Sequence, residues 1–262
     1  MSEQTTHILI GIGIAVLVVG GLVVGWYLEK KRREALRKWS AANGWTFEAG
    51  KRYGSPSFPI DVFHKGHSRY RRYRMERPFD DATPGLGGGP ARVEVFEYHY
   101  AITSGSGKNR RTTHYYYTVL HATAGMLLGE VEMREEHFGD RIAAAVGFDD
   151  IDFEDPVFSK KWLVKARDRA DAYALIGPEM MRYLSAKGGW AVETFGTSLV
   201  VIDRGKLTPE RAAGAAAFAM GMLEQLPRTL VNQGRAARGE GPELQAGAAS
   251  GRSKESLARL GV

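Results

Sequence analysis

Cysteine is absent from all 262 residues, which excludes a disulfide framework, a thiolate metal site and a cysteine nucleophile, and leaves any metal to His and carboxylate ligands. The missing disulfides fit a reducing compartment. Short motifs that carry enzymatic chemistry are missing too. There is no HExxH for zinc and no GxSxG nucleophile elbow, and Ser198 in GTSLV reads as a strand residue. The glycine-rich PGLGGGP at residues 84–90 lacks the Lys and Ser/Thr of a phosphate-binding loop, and the acidic run DDIDFED at 149–155 lacks the Gly and terminal Glu of an EF-hand. No lysine or arginine occurs before Lys30, and that absence sets an orientation.

What stands before Lys30 is a run of 21 uncharged residues, 8–28, bounded by Ile8 and Leu28. At 1.5 Å per residue it spans about 31 Å, the hydrocarbon thickness of a bilayer. Its glycines are tolerated because a helix in lipid satisfies its own backbone, and Trp26 and Tyr27 stand at one end, where amphipathic rings favour the interface. Lys30, Lys31, Arg32 and Arg33 follow at once, so the positive-inside rule keeps the C-terminal side in the cytoplasm. A cleaved signal peptide would need basic residues before the apolar core and a small-residue cleavage site after it, where this chain has WYLEKKRR. Gly21 and Gly25 form a GxxxG pair through which two anchors would pack as a homodimer.

Hydrophobic residues make up 44% and charged residues 25% of the chain, ordinary globular material with a core to bury. The net charge of +6 is unevenly spread. Residues 29–77 carry 14 bases against 5 acids, and residues 129–156 carry 10 acids against 2 bases. The pattern divides the chain into a short leader (1–7), a spanning helix (8–28), a basic juxtamembrane helix closed by Asn43-Gly44 (29–44), a soluble domain (45–230) and a disordered tail (231–262).

Within the domain, residues 93–103 and 112–123, rich in Val, Tyr, Phe and Thr and joined by SGSGKNR, predict a long antiparallel hairpin. A third strand of the same sheet is expected at 126–133, a short helix at 134–146, and further strands at 45–48, 162–166, 190–194 and 198–203. Residues 69–77, RYRRYRMER, alternate like a strand with arginine on both faces, hence one solvated on both sides or standing at an edge. Asp168, Pro178 and Thr208-Pro209 open helices, and the apolar core of the last, at 212–223, is too short to cross a membrane. The order of elements implies an α+β fold: a transmembrane helix, then a largely antiparallel sheet with packed helices.

Gly44, Trp45 and Phe47 after a basic helix, then FEDPVFSKKWLV, an Asp-initiated helix with Ala172 and Leu175, and PEMMRYL, together resemble an actinobacterial family of membrane-anchored proteins known only as a domain of unknown function. The resemblance covers residues 31–230, with Ser159 where the family has Asn. It implies no catalytic residue. Its motif positions Trp45, Phe153, Phe158, Trp162 and Met181 read as core.

Two functional expectations follow. The first is a non-enzymatic interaction or lipid-surface module of the cell envelope, with Lys30, Lys31, Arg32, Arg33, Arg69, Arg71, Arg72 and Arg74 facing anionic lipid. Membrane is then the partner, no cofactor is implied, any protein partner is unspecified, and nucleic acid is disfavoured by the tether and the acidic later half, although Arg and Tyr together suit it chemically. The second is an enzyme acting on a lipid or envelope precursor, for which His99, His114, His121 and Tyr116 are the nominees; His64 and His67, three apart, add only a weak metal signal.

Overall fold

The computed structural model describes residues 3–78, 92–135, 149–237 and Gly239. The glycine-rich run at 84–90, most of the expected helix at 134–146 and nearly all of the tail beyond 237 lie outside them. Helix α1 runs unbroken from Glu3 to Ala42, so leader, span and stalk are one rod. It contains no proline that would break it. From Gly11 on it is long and apolar enough to cross a membrane, and the apolar window there is unburied within the chain. Leu17 is 76% exposed, a surface suited to lipid rather than water.

The rod stops where Asn43-Gly44 predicts. Gly44 takes φ +72°, the Trp45 N–H bonds the Ser40 carbonyl at 2.8 Å, and the Trp39 and Trp45 rings meet at 6.0 Å. This is the Schellman closure with its hydrophobic contact.

Ten strands then build one sheet: β1 Thr46–Glu48, β2 Arg52–Tyr53, β3 His67–Pro78, β4 Arg92–Ser104, β5 Arg111–Thr123, β6 Val131–Glu135, β7 Asp149–Asp150, β8 Trp162–Ala166, β9 Ala191–Phe195 and β10 Ser198–Arg204. Their order is β1-β3-β4-β5-β10-β9-β6-β8-β7, with β2 beside β3, and every pairing is antiparallel. Helices α2 Pro156–Lys161, α3 Arg169–Leu175, α4 Pro178–Lys187, α5 Pro209–Glu224 and α6 Arg228–Ala237 complete the α+β fold.

One face of the sheet carries the main core, where Met75, Val95, Leu120 and Val201 pack with Leu36 of α1 and with α5. The opposite face holds a smaller core in which Ile60, Val62 and Phe63 cover Phe96, Tyr98 and Val119. Trp45, Phe153, Phe158 and Trp162 are all buried in the main core, and Met181 packs against it.

Three expectations need correction, and one helix was not expected. The strand expected at 126–133 does belong to the hairpin's sheet, but it begins at Val131 and lies between β9 and β8. The reason is that residues 124–128 wrap the β9–β10 turn, Ala124 and Leu128 donating to the Thr197 and Gly196 carbonyls at 2.7 and 2.8 Å, which leaves β10 to pair with β5. Helix α2, unexpected, is opened by Asp155, whose side chain accepts from the Val157 and Phe158 N–H groups, with Pro156 at its first position. Strand β3 is no exposed edge: it lies between β1 and β4 with Tyr70, Tyr73 and Met75 buried. The tail does not begin at residue 231, because α6 continues to Ala237 with Val231 and Gly234 buried.

The approach of α6 is close enough to test. A Cβ at Gly234 would stand 2.5 Å from the Met126 Cβ, so Gly234→Ala forces the helix away. We expect a loss of about 1–3 kcal/mol, the usual cost of overpacking, read as a lower thermal midpoint of the detergent-solubilised protein; an unchanged midpoint would mean that α6 is not docked.

Candidate membrane-proximal site

Where α1 leaves the apolar span it meets the sheet through charge. Glu97 of β4 is fully buried, and its carboxylate accepts from Arg32 of α1, from Arg72 Nε of β3 at 2.6 Å and from the Leu207 N–H at 2.9 Å. Glu29 supplies the second carboxylate, taking Arg32 Nη2 at 2.8 Å and Arg72 Nη1 at 2.9 Å. Two guanidiniums therefore face two carboxylates, and the node is neutral as a whole. A buried charge that lacked such partners would cost several kcal/mol.

Tyr73 reaches this node through a backbone irregularity. The β3–β4 register slips between Arg72 and Met75, and Tyr73 adopts φ +54°, a conformation uncommon for a bulky residue. The bulge turns the ring towards α1. Its hydroxyl donates to Glu29, and its face lies 4.8 Å from the Arg72 and 5.1 Å from the Arg32 guanidinium carbons. Burial, followed by the Glu29 hydrogen bond, pushes the phenol up to about 12, so it stays a donor.

The nominated lipid-facing bases therefore divide. Arg32 and Arg72 are 13% and 12% exposed and held by carboxylates, and Arg74 pairs with Glu76 and Glu94 on the other face. These three turn inward, contrary to expectation, because the sheet supplies carboxylates within reach of each. Arg69 donates to the His64 carbonyl, and Arg71 lies over Phe96. Lys30, Lys31 and Arg33 stay exposed, with the Lys30 ammonium 5.5 Å from the Trp26 ring. Tyr27 and Leu28 are exposed beside them, and a Cβ at Gly21 or Gly25 would meet nothing within 4 Å.

No protein-family model matches the chain, and no curated protein matches it. Among solved structures, the crystal structure of the mycobacterial trehalose monomycolate transport factor A, TtfA, aligns with 81% of this chain and 98% of its own at a TM-score of 0.51 and 10% identity. The likeness is one of fold.

Next to the node lies a cluster of rings. His99 donates from Nδ1 to the Ser68 carbonyl at 3.1 Å, which leaves its Nε2 to accept from His114 Nδ1 at 3.0 Å. Tyr70 stacks on His99 at 4.4 Å, and Tyr116 lies 4.8 Å away. Burial above all holds His99 below the usual imidazole range, helped by His114 and Arg72 against the pull of the Ser68 carbonyl. The fourth nominee is elsewhere: His121 is on the opposite face, against Phe58 and Ser198. Three of the four nominees meet, and both ring nitrogens of His99 already have partners.

Sequence inspection missed a charged group on that opposite face. Glu132 of β6 and Glu193 of β9 are directly opposed across their strands, with Arg134, Lys65 and Asp61 nearby. Their strand pairing, invisible without the topology, is the only signal. Burial first, then the Glu132 and Asp61 charges, push the Glu193 carboxyl up from 4.5 to about 8 against Arg134 and Lys65.

Two outcomes are expected. Glu97→Ala leaves two guanidiniums sharing the one carboxylate of Glu29 and the buried Leu207 N–H without its acceptor, and should cost about 3–5 kcal/mol, whereas Arg33→Ala should stay within about 0.5 kcal/mol; thermal melts of the detergent-solubilised protein compare them. Glu193 keeps a proton in the folded state that the unfolded chain releases above its ordinary value, so stability falls as pH rises through that window. Glu193→Gln should therefore raise the melting temperature at about pH 8 and leave it nearly unchanged at about pH 4, where both states hold the proton.

Proposed function

We propose that this chain is a single-pass bacterial membrane protein whose domain faces the cytoplasm and works as a non-enzymatic interaction module at the lipid surface of the cell envelope. The observation that carries this is the Glu97 node: it fixes the sheet to the spanning helix just past the apolar stretch, so the domain is held at the bilayer. The bases that follow Leu28, with none before it, support the cytoplasmic side. Exposed Lys30, Lys31 and Arg33 are the lipid contacts of the stalk. The fold shared with TtfA, the mycobacterial trehalose monomycolate transport factor A, supports a role in handling an envelope lipid. Membership of the actinobacterial family belongs to the same proposal, supported by the core placement of Trp45, Phe153, Phe158 and Trp162.

The second reading, an enzyme acting on a lipid or envelope precursor, is less well supported. His121 lies apart from the other nominees, and His99 has neither nitrogen free to act as a base.

Because the chain has no cysteine, a single introduced thiol reports its side of the membrane without background. Ser106→Cys in intact cells should resist a membrane-impermeant maleimide and react only after permeabilisation. Labelling of intact cells, or a mature chain that mass spectrometry finds to begin beyond Tyr27, would refute the proposed topology.

A further inference from the structure

The contacts of helix α1 with the sheet give their relative direction. Arg37 lies over Phe47 at 5.9 Å, and Phe47 pairs with Met75, which pairs with Val95. Five residues nearer the membrane, Arg32 meets Glu97, two residues further along β4. Over the same five residues the contact partner moves from β1 to β4, two strands across the sheet, so α1 crosses the strands obliquely. Descending α1 towards lipid therefore also ascends β4 towards its hairpin.

The hairpin overtakes the end of the span. From Arg32 back to Leu28 is about 6 Å of helix, whereas from Glu97 on to Ser104 is about 23 Å of strand. Because the strands are inclined to α1, only part of that length lies along the helix axis, which brings the tip to the level where the span ends, the headgroup layer being about 5–7 Å deep in each leaflet.

The chemistry of this end matches that position. Residues 98–116 contain no Asp or Glu, and neither do residues 62–75 or 204–209, the neighbouring ends of β3 and β10. Lys108, Arg110, Arg111, Arg204 and Lys206 are all exposed there. Tyrosines stand behind them: Arg204 lies over Tyr115 at 5.4 Å and Lys206 over Tyr116 at 5.0 Å. Ile102 is 39% exposed beside the tip. Bases over tyrosines with an exposed apolar residue is the composition that the membrane interface selects. The tip itself is tightly built, since Gly105 takes φ +78° with the Asn109 carbonyl where a Cβ would sit.

We propose that the β4–β5 hairpin tip is a second membrane contact, docking Lys108, Arg110 and Arg111 onto the phosphates of anionic lipids in the leaflet from which α1 emerges. This rests on the anchored reading above, and it names the sheet's own end as the part that touches lipid.

The test uses the full chain reconstituted into vesicles of phosphatidylcholine with or without phosphatidylglycerol, carrying an environment-sensitive fluorophore on Ser106→Cys or, at the far end of the sheet, on Thr197→Cys. Flotation reads the anchor; quenching by headgroup-labelled lipid reads the tip. The expected result is quenching at position 106 and not at 197, strong with phosphatidylglycerol, weak without it and reversed by salt. Changing Lys108, Arg110 and Arg111 to Gln should weaken tip contact by about fivefold per base, the factor to which ~1 kcal/mol per basic residue converts, with an unchanged melting temperature. Protein that floats yet shows equal quenching at both positions, or no dependence on anionic lipid, overturns the tip contact and leaves the anchor standing. Protein that fails to float overturns both. Binding of a single-stranded oligonucleotide by the same three bases, without vesicle-dependent quenching, would overturn it in favour of nucleic acid.

Discussion

The Glu97 carboxyl group lies at a place water does not reach, and the arrangement of the molecule follows from how it is met. Its partners come from α1, from β3 and from the residue before the α5 cap, three segments far apart in sequence. Apolar packing alone would let a helix slide or roll on a sheet, since dispersion has no direction. A carboxylate held by two guanidiniums and a backbone N–H fixes both register and rotation, because each donor must arrive at its own angle. Glu29 completes the balance, so the node needs no counter-ion from solvent.

The backbone around it carries strain consistent with that demand. Ser68 and Tyr73 both have positive φ without being glycine, and each sits at a register shift between β3 and β4. The second shift sends Arg72 and Tyr73 to the face of the stalk and Arg74 to the other. Alternating sign and alternating face cease to coincide, and an arginine-rich strand becomes a two-sided clasp. Its bases serve the interior first.

Much of the fold was legible from the residues. The NG stop after the stalk, the long tyrosine-rich hairpin, the caps at Asp168 and Thr208, and the turn at Gly196 each rest on local chemistry that acts within a few residues. What was not legible depends on pairing at a distance. The insertion of β10 and β9 between β5 and β6 is decided by residues 124–128 folding around a turn some seventy residues later, and no local pattern records it. The same holds for the site: the exposure of Lys30, Lys31 and Arg33 was readable from the apolar boundary, but the inward turn of Arg32 and Arg72 depends on Glu97, and the Glu132–Glu193 apposition on a strand register. Helix α2 differs, since Asp155-Pro156 does carry a start signal that the acidic run around it obscured.

Because α1 has no break between its apolar turns and Arg32, the angular setting of the sheet about the helix axis, relative to those turns, is written into the number of residues that separate them. One residue more or fewer would swing the whole domain by about 100° and shift it by about 1.5 Å. The height of the stalk could drift with little effect, but its phase could not: whatever surface this sheet presents to its surroundings is aimed by counting.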